Sequence, residues 1–136
     1  MISIFSTVHP REDTRICVKE SHSLSGVLSG QVVLYVQDGQ GSNTEPTEAL
    51  PVIDTGSRLV KRLPRMTRGA WRMYRAVRRA RPVLAHFHDP ELIPVGLALK
   101  FSGAKIIYDV HEDLPRQILG KYWLPPWLRR PVSWLA

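Results

Sequence analysis

Histidine and carboxylate side chains cluster in two short stretches of the sequence where they could do acid–base or metal chemistry. The first stretch, His86–Glu91, reads His-Phe-His-Asp-Pro-Glu, and the second, Asp109–Asp113, reads Asp-Val-His-Glu-Asp. Imidazole titrates near neutral pH, and a neighbouring carboxylate can orient the ring against a polar ligand. The same side chains bind zinc and other transition metals. Both stretches are therefore candidate sites.

A third polar stretch, His9–Arg15, carries two arginines that could bind an anionic group. Alternatively, Arg15 could form a local ion pair with Glu12 or Asp13, while Arg11 remains available. No Gly-x-Gly-x-x-Gly occurs here, so the dinucleotide-binding fingerprint is absent. The loop is a candidate for anion binding by side chains and not by a glycine-rich turn.

The elements that must position these stretches alternate between strands and helices. Strands are predicted at Ile2–Val8, Gln31–Gln37, Pro51–Ile53, Val83–His88 and Lys105–Val110. Helices are predicted from Asp13 or Thr14 to Leu28, from about Arg58 to an interruption at Pro64 and again from Arg65 to Ala80, from Asp89 to Ser102, and from Leu114 onward. The alternation predicts an α/β fold, a Rossmann-like parallel sheet of about five strands with helices on both faces. Such sheets bind ligands beyond the carboxyl ends of their strands, where all three polar stretches fall.

Two interpretations of the stretch around Asp89 remain open. In the first, the Asp89 carboxylate caps a helix that has Pro90 at its first position, and the positive end of this helix faces the cleft. In the second, a metal site uses the ligands His86, His88, Asp109 and His111. The cap interpretation is favoured because Asp-Pro-Glu is typical of a helix start.

Basic residues are concentrated in one segment. The net charge is +7, and ten of the 19 Lys and Arg residues lie between Arg58 and Arg81, where no acid occurs. On the predicted helix, the cationic face comprises Arg65, Arg68, Arg72, Arg75 and Arg79, and the apolar face comprises Met66, Ala70, Met73, Tyr74 and Val77. This pattern is typical of an anionic membrane surface or of nucleic acid. The tryptophans at positions 71, 123, 127 and 134 favour the membrane interface over nucleic acid.

Composition and length favour one folded domain. The chain has 136 residues, 43% of them hydrophobic and 23% charged. Its one cysteine, Cys17, lies in an apolar stretch and is expected to be a buried, inert thiol. Neither an apolar run of ~18 residues nor a signal peptide is visible, so a cytoplasmic location is expected, with peripheral association at the inner face of the membrane.

Taken together, three segments resemble the N-terminal half of glycosyltransferase family 4, the retaining enzymes of GT-B fold. They are His9-Pro10 with Asp13-Thr14-Arg15 and Lys19-Glu20; His86-Phe87-His88-Asp89-Pro90-Glu91-Leu92; and Tyr108-Asp109-Val110-His111-Glu112-Asp113 with Pro115-Arg116-Gln117. The similarity covers nearly the whole chain. It implies that residues 1–120 form the acceptor-side domain, and that the Trp- and Pro-rich residues 121–136 lead toward a second domain outside this sequence.

The resemblance implies transfer of a sugar, such as a hexose, from a nucleotide sugar to a saccharide or lipid-linked acceptor, with retention of configuration. Polysaccharide biosynthesis is the expected context, and neither a metal nor a cofactor is expected. His111 would be the catalytic residue that reaches the donor, with Glu112 supporting it. The residues implied in substrate binding are His9, Arg11, Arg15, His88, Asp89, Glu91 and Asp109.

The departures from the family pattern leave other functions open. Relatives have a glycine-rich turn where this chain has Val8-His9-Pro10, and the nucleotide-binding domain with its paired glutamates is not in the sequence. The chain alone is therefore expected to be inactive. One alternative is a non-catalytic module that binds a membrane surface or nucleic acid; the other is a small metal-dependent hydrolase.

Overall fold

The computed structural model of the chain describes residues 1–28, 30–44 and 50–110. The helix predicted from Leu114 and the segment 121–136 therefore lie outside the described residues, as does the side chain of Cys17. Among the described residues, no helix combines the length and the apolar composition that crossing a membrane requires.

Five parallel strands form one sheet. They are β1 (Ile2–Phe5), β2 (Val32–Val36), β3 (Val52–Asp54), β4 (Leu84–Phe87) and β5 (Lys105–Tyr108). Their order across the sheet is β3-β2-β1-β4-β5, and in the register Ile4 pairs with Leu34 on one side and His86 on the other. The predicted Rossmann-like α/β fold is confirmed. Because the chain runs outward from β1 to β3 and then returns to β4, the switch in direction lies between β1 and β4.

Helical segments connect the strands. A π-helical segment (Thr14–Ser21) continues into α1 (His22–Val27); α2 (Arg62–Pro64), a second π-helical segment (Arg65–Gly69) and α3 (Ala70–Arg79) form a continuous run; and a 3-10 turn (Pro90–Leu92) leads into α4 (Ile93–Phe101). The predicted start near Arg58 and the predicted interruption at Pro64 are both wrong, since the helical run begins at Arg62 and continues through Pro64. Proline is tolerated here because it lies in the first turn, where a backbone N–H has no helical acceptor.

The sheet buries both of its faces because successive residues of a strand point to opposite sides. On one face, Phe5, Tyr35 and Phe87 belong to a cluster with side chains of α3 and α4. On the other face, Ile4 and Leu34 belong to a cluster with side chains such as Ile16, Leu24 and Leu28 from the first helical run. Helices therefore cover both faces, as predicted.

The basic helix follows its predicted face with one exception. Ala70, Met73 and Val77 are buried, and Tyr74 packs against the same core. Met66 is 44% exposed, so its assignment to the apolar face is wrong. Met66 lies in the π-helical segment, whose wider turn shifts side chains away from the 3.6-residue period used to predict the face.

Helix α4 packs closely on β4 through Gly96. A Cβ atom built on Gly96 would lie 2.5 Å from Cε1 and 2.8 Å from Cζ of Phe87. The Phe87 ring is itself held on both sides, since it stacks on Tyr108 with centroids 4.9 Å apart and meets Phe5 at 5.5 Å. Glycine at this position therefore permits an approach of helix to sheet that any side chain would obstruct.

Candidate functional site

The Asp89 carboxylate joins the ends of β1 and β4 at the switch point of the sheet. Its Oδ2 atom accepts hydrogen bonds from the Ser6 hydroxyl at 2.8 Å, from the Thr7 backbone N–H at 2.6 Å and hydroxyl at 3.2 Å, and from the Val8 backbone N–H at 3.3 Å. Asp89 is only 4% exposed. A buried carboxylate that accepts several backbone and hydroxyl donors fixes their positions, because those donors would otherwise lose their partners away from water.

The predicted cap role of Asp89 is wrong as regards its side chain. The residue does occupy the position that precedes the Pro90–Leu92 turn, with an extended backbone at φ −91 and ψ 131, but its side chain makes no cap hydrogen bond. The carboxylate binds the loop after β1 instead, because this loop offers two backbone N–H groups and two hydroxyls. These hydrogen-bond partners could not be predicted from the sequence pattern, because they lie more than 80 positions away from Asp89.

Glu91 extends the same connection toward the basic helix. The single proton of the Thr7 hydroxyl is shared between Asp89 Oδ2 and Glu91 Oε1, which lies 3.1 Å from this hydroxyl, and Glu91 Oε1 also accepts a hydrogen bond from Arg65 Nε at 2.5 Å. The Arg65 side chain is 19% exposed. Arg65 therefore lies beside Glu91 at the carboxyl edge of the sheet. Unlike the other residues of the predicted cationic face, it does not point into solvent.

The loop after β1 is also held by its own histidine and aspartate. His9 Nδ1 lies 2.9 Å from Asp13 Oδ2, and its Nε2 lies 3.8 Å from Asp89 Oδ1. Asp13 Oδ1 accepts hydrogen bonds from the backbone N–H groups of Arg15 and Ile16, both at 3.0 Å. Asp13 therefore caps this helical segment, as predicted. Burial acts to raise the pKa of Asp13, but the Ile16 N–H and the His9 ring outweigh it and hold this pKa below its usual value.

Arg11 points away from the switch point and binds Asp38 at the end of β2. Its Nε and Nη2 atoms donate to the two Asp38 oxygens at 2.7 and 2.8 Å, and Nη2 also donates to the Gly41 carbonyl at 2.6 Å. The Arg11 hydrogen bond lowers the pKa of Asp38, and the same bond raises the pKa of Arg11. This two-pronged pair anchors the loop after β1 to the loop after β2.

His88 lies between two carboxylates on the opposite face from Phe87. Its Nε2 is 3.4 Å from Glu20 Oε2 and its Nδ1 is 3.5 Å from Asp109 Oδ2, while its side chain is 0% exposed. Arg15 reaches the same two carboxylates from the solvent side, at 3.6 Å from Glu20 and 3.8 Å from Asp109. The predicted local pairing of Arg15 is thus replaced, for its side chain, by these longer-range contacts.

The contacts of His9, Arg15, His88 and Asp89 surround a cavity of about 360 Å³ at the carboxyl edge of the sheet. The polar residues that line it come from two of the polar stretches, His9, Asp13, Arg15, His88, Asp89 and Glu91, together with Arg65 and Tyr108; the third stretch contributes Val110. Burial and the nearby charges of Asp89 and Glu91 raise the pKa of Tyr108, so its hydroxyl stays protonated and can donate a hydrogen bond. A mixture of carboxylates, imidazoles, guanidinium groups and a phenol suits a polyhydroxylated or anionic ligand.

The exposed arginines form a second surface, along the solvent-facing side of the basic helix. Arg68, Arg72, Arg75 and Arg79 are exposed, and Trp71 beside them is 59% exposed. Trp71 packs on Tyr74 with centroids 5.6 Å apart, and Arg78 lies over the Tyr74 ring and donates to its hydroxyl. Several of these side chains border a larger, open hollow of about 950 Å³.

The structure thus gathers His9, Arg15, His88, Asp89 and Glu91 around one cavity and places Asp109 beside His88. Arg11 lies apart with Asp38. The predicted catalytic residues His111 and Glu112 lie outside the described residues. Sequence reasoning missed Thr7 and Glu20 as site residues, although polar residues directly after a buried strand are a recognisable signal for the first.

Comparison with known proteins gives no assignment. No family model matches the sequence. A search of curated proteins gives no significant match either.

Proposed function

We propose that the chain is the N-terminal, acceptor-side domain of a retaining glycosyltransferase of GT-B fold. In this proposal, a sugar passes from a nucleotide sugar to a saccharide or lipid-linked acceptor. The proposed transfer needs no cofactor besides the nucleotide-sugar donor. A C-terminal GT-B domain would bind the nucleotide and complete the cleft.

One observation carries the proposal: the three segments that resemble family 4 converge on the same cavity. Residues 9–15, 86–92 and 108–110 are distant in sequence, and His9, Asp89 and Tyr108 all line the space at the switch point. The strand order brings the ends of β1, β4 and β5 to one edge, and the residues of the three segments that line the cavity there are mostly polar. Ligands of open α/β sheets bind at this position.

The side chains around the cavity have the chemistry that sugar binding requires. Sugar hydroxyl groups both donate and accept hydrogen bonds, so they pair with carboxylates such as Asp13 and with donors such as Arg15 and the Tyr108 hydroxyl. The Asp89 and Glu91 contacts to Thr7 hold the loop after β1 in place, so these groups are oriented before a ligand arrives. Val110 lines the cavity, and the next residue in the sequence is His111, the catalytic residue that the resemblance implies.

Transfer by the reconstituted enzyme tests the proposal. The chain is co-expressed with a C-terminal GT-B domain, first with any polypeptide encoded after Ala136, and supplied with labelled UDP-, GDP- and dTDP-sugars and a membrane lipid extract. We expect label in the acceptor only when both polypeptides are present. His111→Ala should lower the rate by about 100-fold or more, because groups that stabilise developing charge contribute on that scale.

His22→Ala provides the matched control, since His22 is exposed on α1, away from the cavity. Its rate should equal that of the unsubstituted chain. Failure of every donor in the presence of a folded C-terminal domain would contradict the proposed function. Equal rates for His111→Ala and His22→Ala would contradict the role given to His111.

The exposed arginines and Trp71 support a peripheral membrane position for the proposed enzyme. Each arginine near an anionic bilayer contributes ~1 kcal/mol, so Arg72→Gln combined with Arg75→Gln should weaken binding to phosphatidylglycerol vesicles by about 30-fold. Vesicle sedimentation at two salt concentrations measures this. Lys19→Gln combined with Lys105→Gln removes the same charge from exposed positions elsewhere and should have a smaller effect.

Nucleic acid is the other ligand to which this surface could respond. If the chain binds RNA as tightly as vesicles, and the arginine pair weakens both equally, the non-catalytic nucleic-acid module becomes the better interpretation. Equal effects of the lysine and arginine pairs on vesicle binding would show that only net charge matters and would contradict a dedicated membrane surface.

A further inference from the structure

We propose that Glu20, His86, His88 and Asp109 form a closed binding site for one divalent transition-metal ion, with Zn²⁺ the best fit. Each of these residues offers one ligand atom, and the four atoms all lie within 4.8 Å of one another. The inference is independent of the proposed glycosyl transfer, which uses no metal.

The fold brings the four ligands together from three elements. His86 and His88 are two residues apart along β4 and its extension, so both side chains point to the same face, and their ring centroids are 4.6 Å apart. Asp109 follows β5 directly, where its backbone N–H donates to the Phe87 carbonyl. Glu20 belongs to the π-helical segment that covers this face of the sheet.

Closing the site around an ion requires side-chain rotation. Zn²⁺ bonds to imidazole nitrogen and carboxylate oxygen are about 2.0–2.2 Å, so neighbouring ligand atoms of a tetrahedron lie ~3.3–3.6 Å apart. The four ligand atoms lie within 4.8 Å of one another. His88 contacts Glu20 through Nε2 at 3.4 Å and Asp109 through Nδ1 at 3.5 Å, and only one of these two ring nitrogens can bind the ion. Rotation of the half-buried Glu20, His86 and Asp109 side chains would bring their ligand atoms to that nitrogen without moving the sheet.

The ligand types select among metal ions. Two imidazoles with two carboxylates suit Zn²⁺ and its neighbours in the first transition series, whereas Mg²⁺ and Ca²⁺ prefer oxygen ligands alone. The charge also balances, since two carboxylates offset a divalent cation when both imidazoles are neutral. Arg15, 55% exposed, contacts the same carboxylates from the solvent side and can swing outward when the ion binds.

Four protein ligands indicate a structural role for the ion. A tetrahedral ion held by four side chains has no open position for a water nucleophile, whereas hydrolytic zinc sites keep one. The ion would tie the covering helical segment to β4 and β5 behind the cavity, at His88. Among the described residues, Glu20 is the fourth ligand, where the hydrolase hypothesis had His111.

Metal titration of the full chain tests the site. The protein is purified, treated with chelator and dialysed; bound metal is then measured by elemental mass spectrometry, and the melting temperature is measured with and without ZnCl₂. We expect one Zn²⁺ per chain and a higher melting temperature with the ion. Co²⁺ in its place should give the intense visible absorption of tetrahedral coordination. Glu20→Gln and Asp109→Asn should each weaken Zn²⁺ binding by about 10-fold or more.

Two variants control for surface chelation and for lost charge. His22→Ala removes an exposed histidine, and Glu12→Gln removes an exposed carboxylate outside the cluster; neither should alter the stoichiometry. Absence of stoichiometric Zn²⁺, or equal affinity in Glu20→Gln, Asp109→Asn and Glu12→Gln, would overturn the proposal. A melting temperature that falls in Glu20→Gln but does not respond to ZnCl₂ would instead identify an ion-pair network between His88 and the two carboxylates.

Discussion

Asp89→Ala is expected to lower the free energy of unfolding by about 3 kcal/mol or more, the largest effect among single substitutions near the cleft. The substitution removes the acceptor of two backbone N–H groups, those of Thr7 and Val8, and of the hydroxyls of Ser6 and Thr7. A buried donor left without a partner costs ~1–3 kcal/mol, and hydrogen bonds to a charged acceptor lie at the upper end of that range. The hydroxyls can rotate to new partners, and the Val8 N–H also has the Ser6 hydroxyl as an acceptor at 3.2 Å, so the main cost falls on the Thr7 N–H.

Urea denaturation at neutral pH measures the change, and amide hydrogen exchange at Thr7 and Val8 locates it. Asp89→Asn keeps one oxygen acceptor in the same place, so it should lose less stability than Asp89→Ala. Glu12→Ala removes a carboxylate from an exposed position in the same loop and should change stability by less than about 0.5 kcal/mol. Equal effects of Asp89→Ala and Glu12→Ala would show that the carboxylate does not organise the loop.

Gly96→Ala is expected to destabilise the protein although alanine is the better helix former. In an open helical position, the exchange gains up to about 1 kcal/mol. At Gly96, the new methyl group would lie 2.5 Å from the Phe87 ring, which Phe5 and Tyr108 prevent from moving aside. Overpacking of this kind costs ~1–3 kcal/mol, so the clash outweighs the gain in helix propensity.

Gly26→Ala tests the same exchange without the clash. Gly26 lies in α1, and nothing lies within 4 Å of a Cβ atom built there. Its melting temperature should stay level or rise, while that of Gly96→Ala falls. If both variants melt above the unsubstituted chain, α4 approaches the sheet less closely than the structure indicates.

Local pattern predicted the architecture well, because it depends on short-range signals. Buried apolar runs and helix caps such as Asp13 mark the elements within a few residues, and alternation of strand and helix determines a parallel sheet. The gathering of polar residues at the strand ends could be predicted by the same reasoning, since the carboxyl ends of parallel strands share one edge. His88, Asp89 and Glu91 meet the loop after β1 there.

Side-chain partners were harder to predict, because a polar residue in a loop has local and distant options of similar energy. Asp89 fits the sequence pattern of a helix cap, and only the position of Thr7 and Val8 in space shows where its carboxylate binds. Arg65 fits a cationic helix face by period, but the π-helical turn directs it to Glu91. Pairings between strands that are neighbours in space and distant in sequence leave no local signal.

The network around Asp89 also has a consequence for the order in which the molecule can form. Thr7 and Asp89 are separated by 82 positions along the chain, so the loop after the first strand stays without its final hydrogen bonds until the fourth strand has been synthesised and added to the sheet. Contacts of such separation form late, because the entropy of closing the intervening chain must be overcome first. We therefore expect the hydrogen bonds of Asp89 to the loop after β1 to form late in folding.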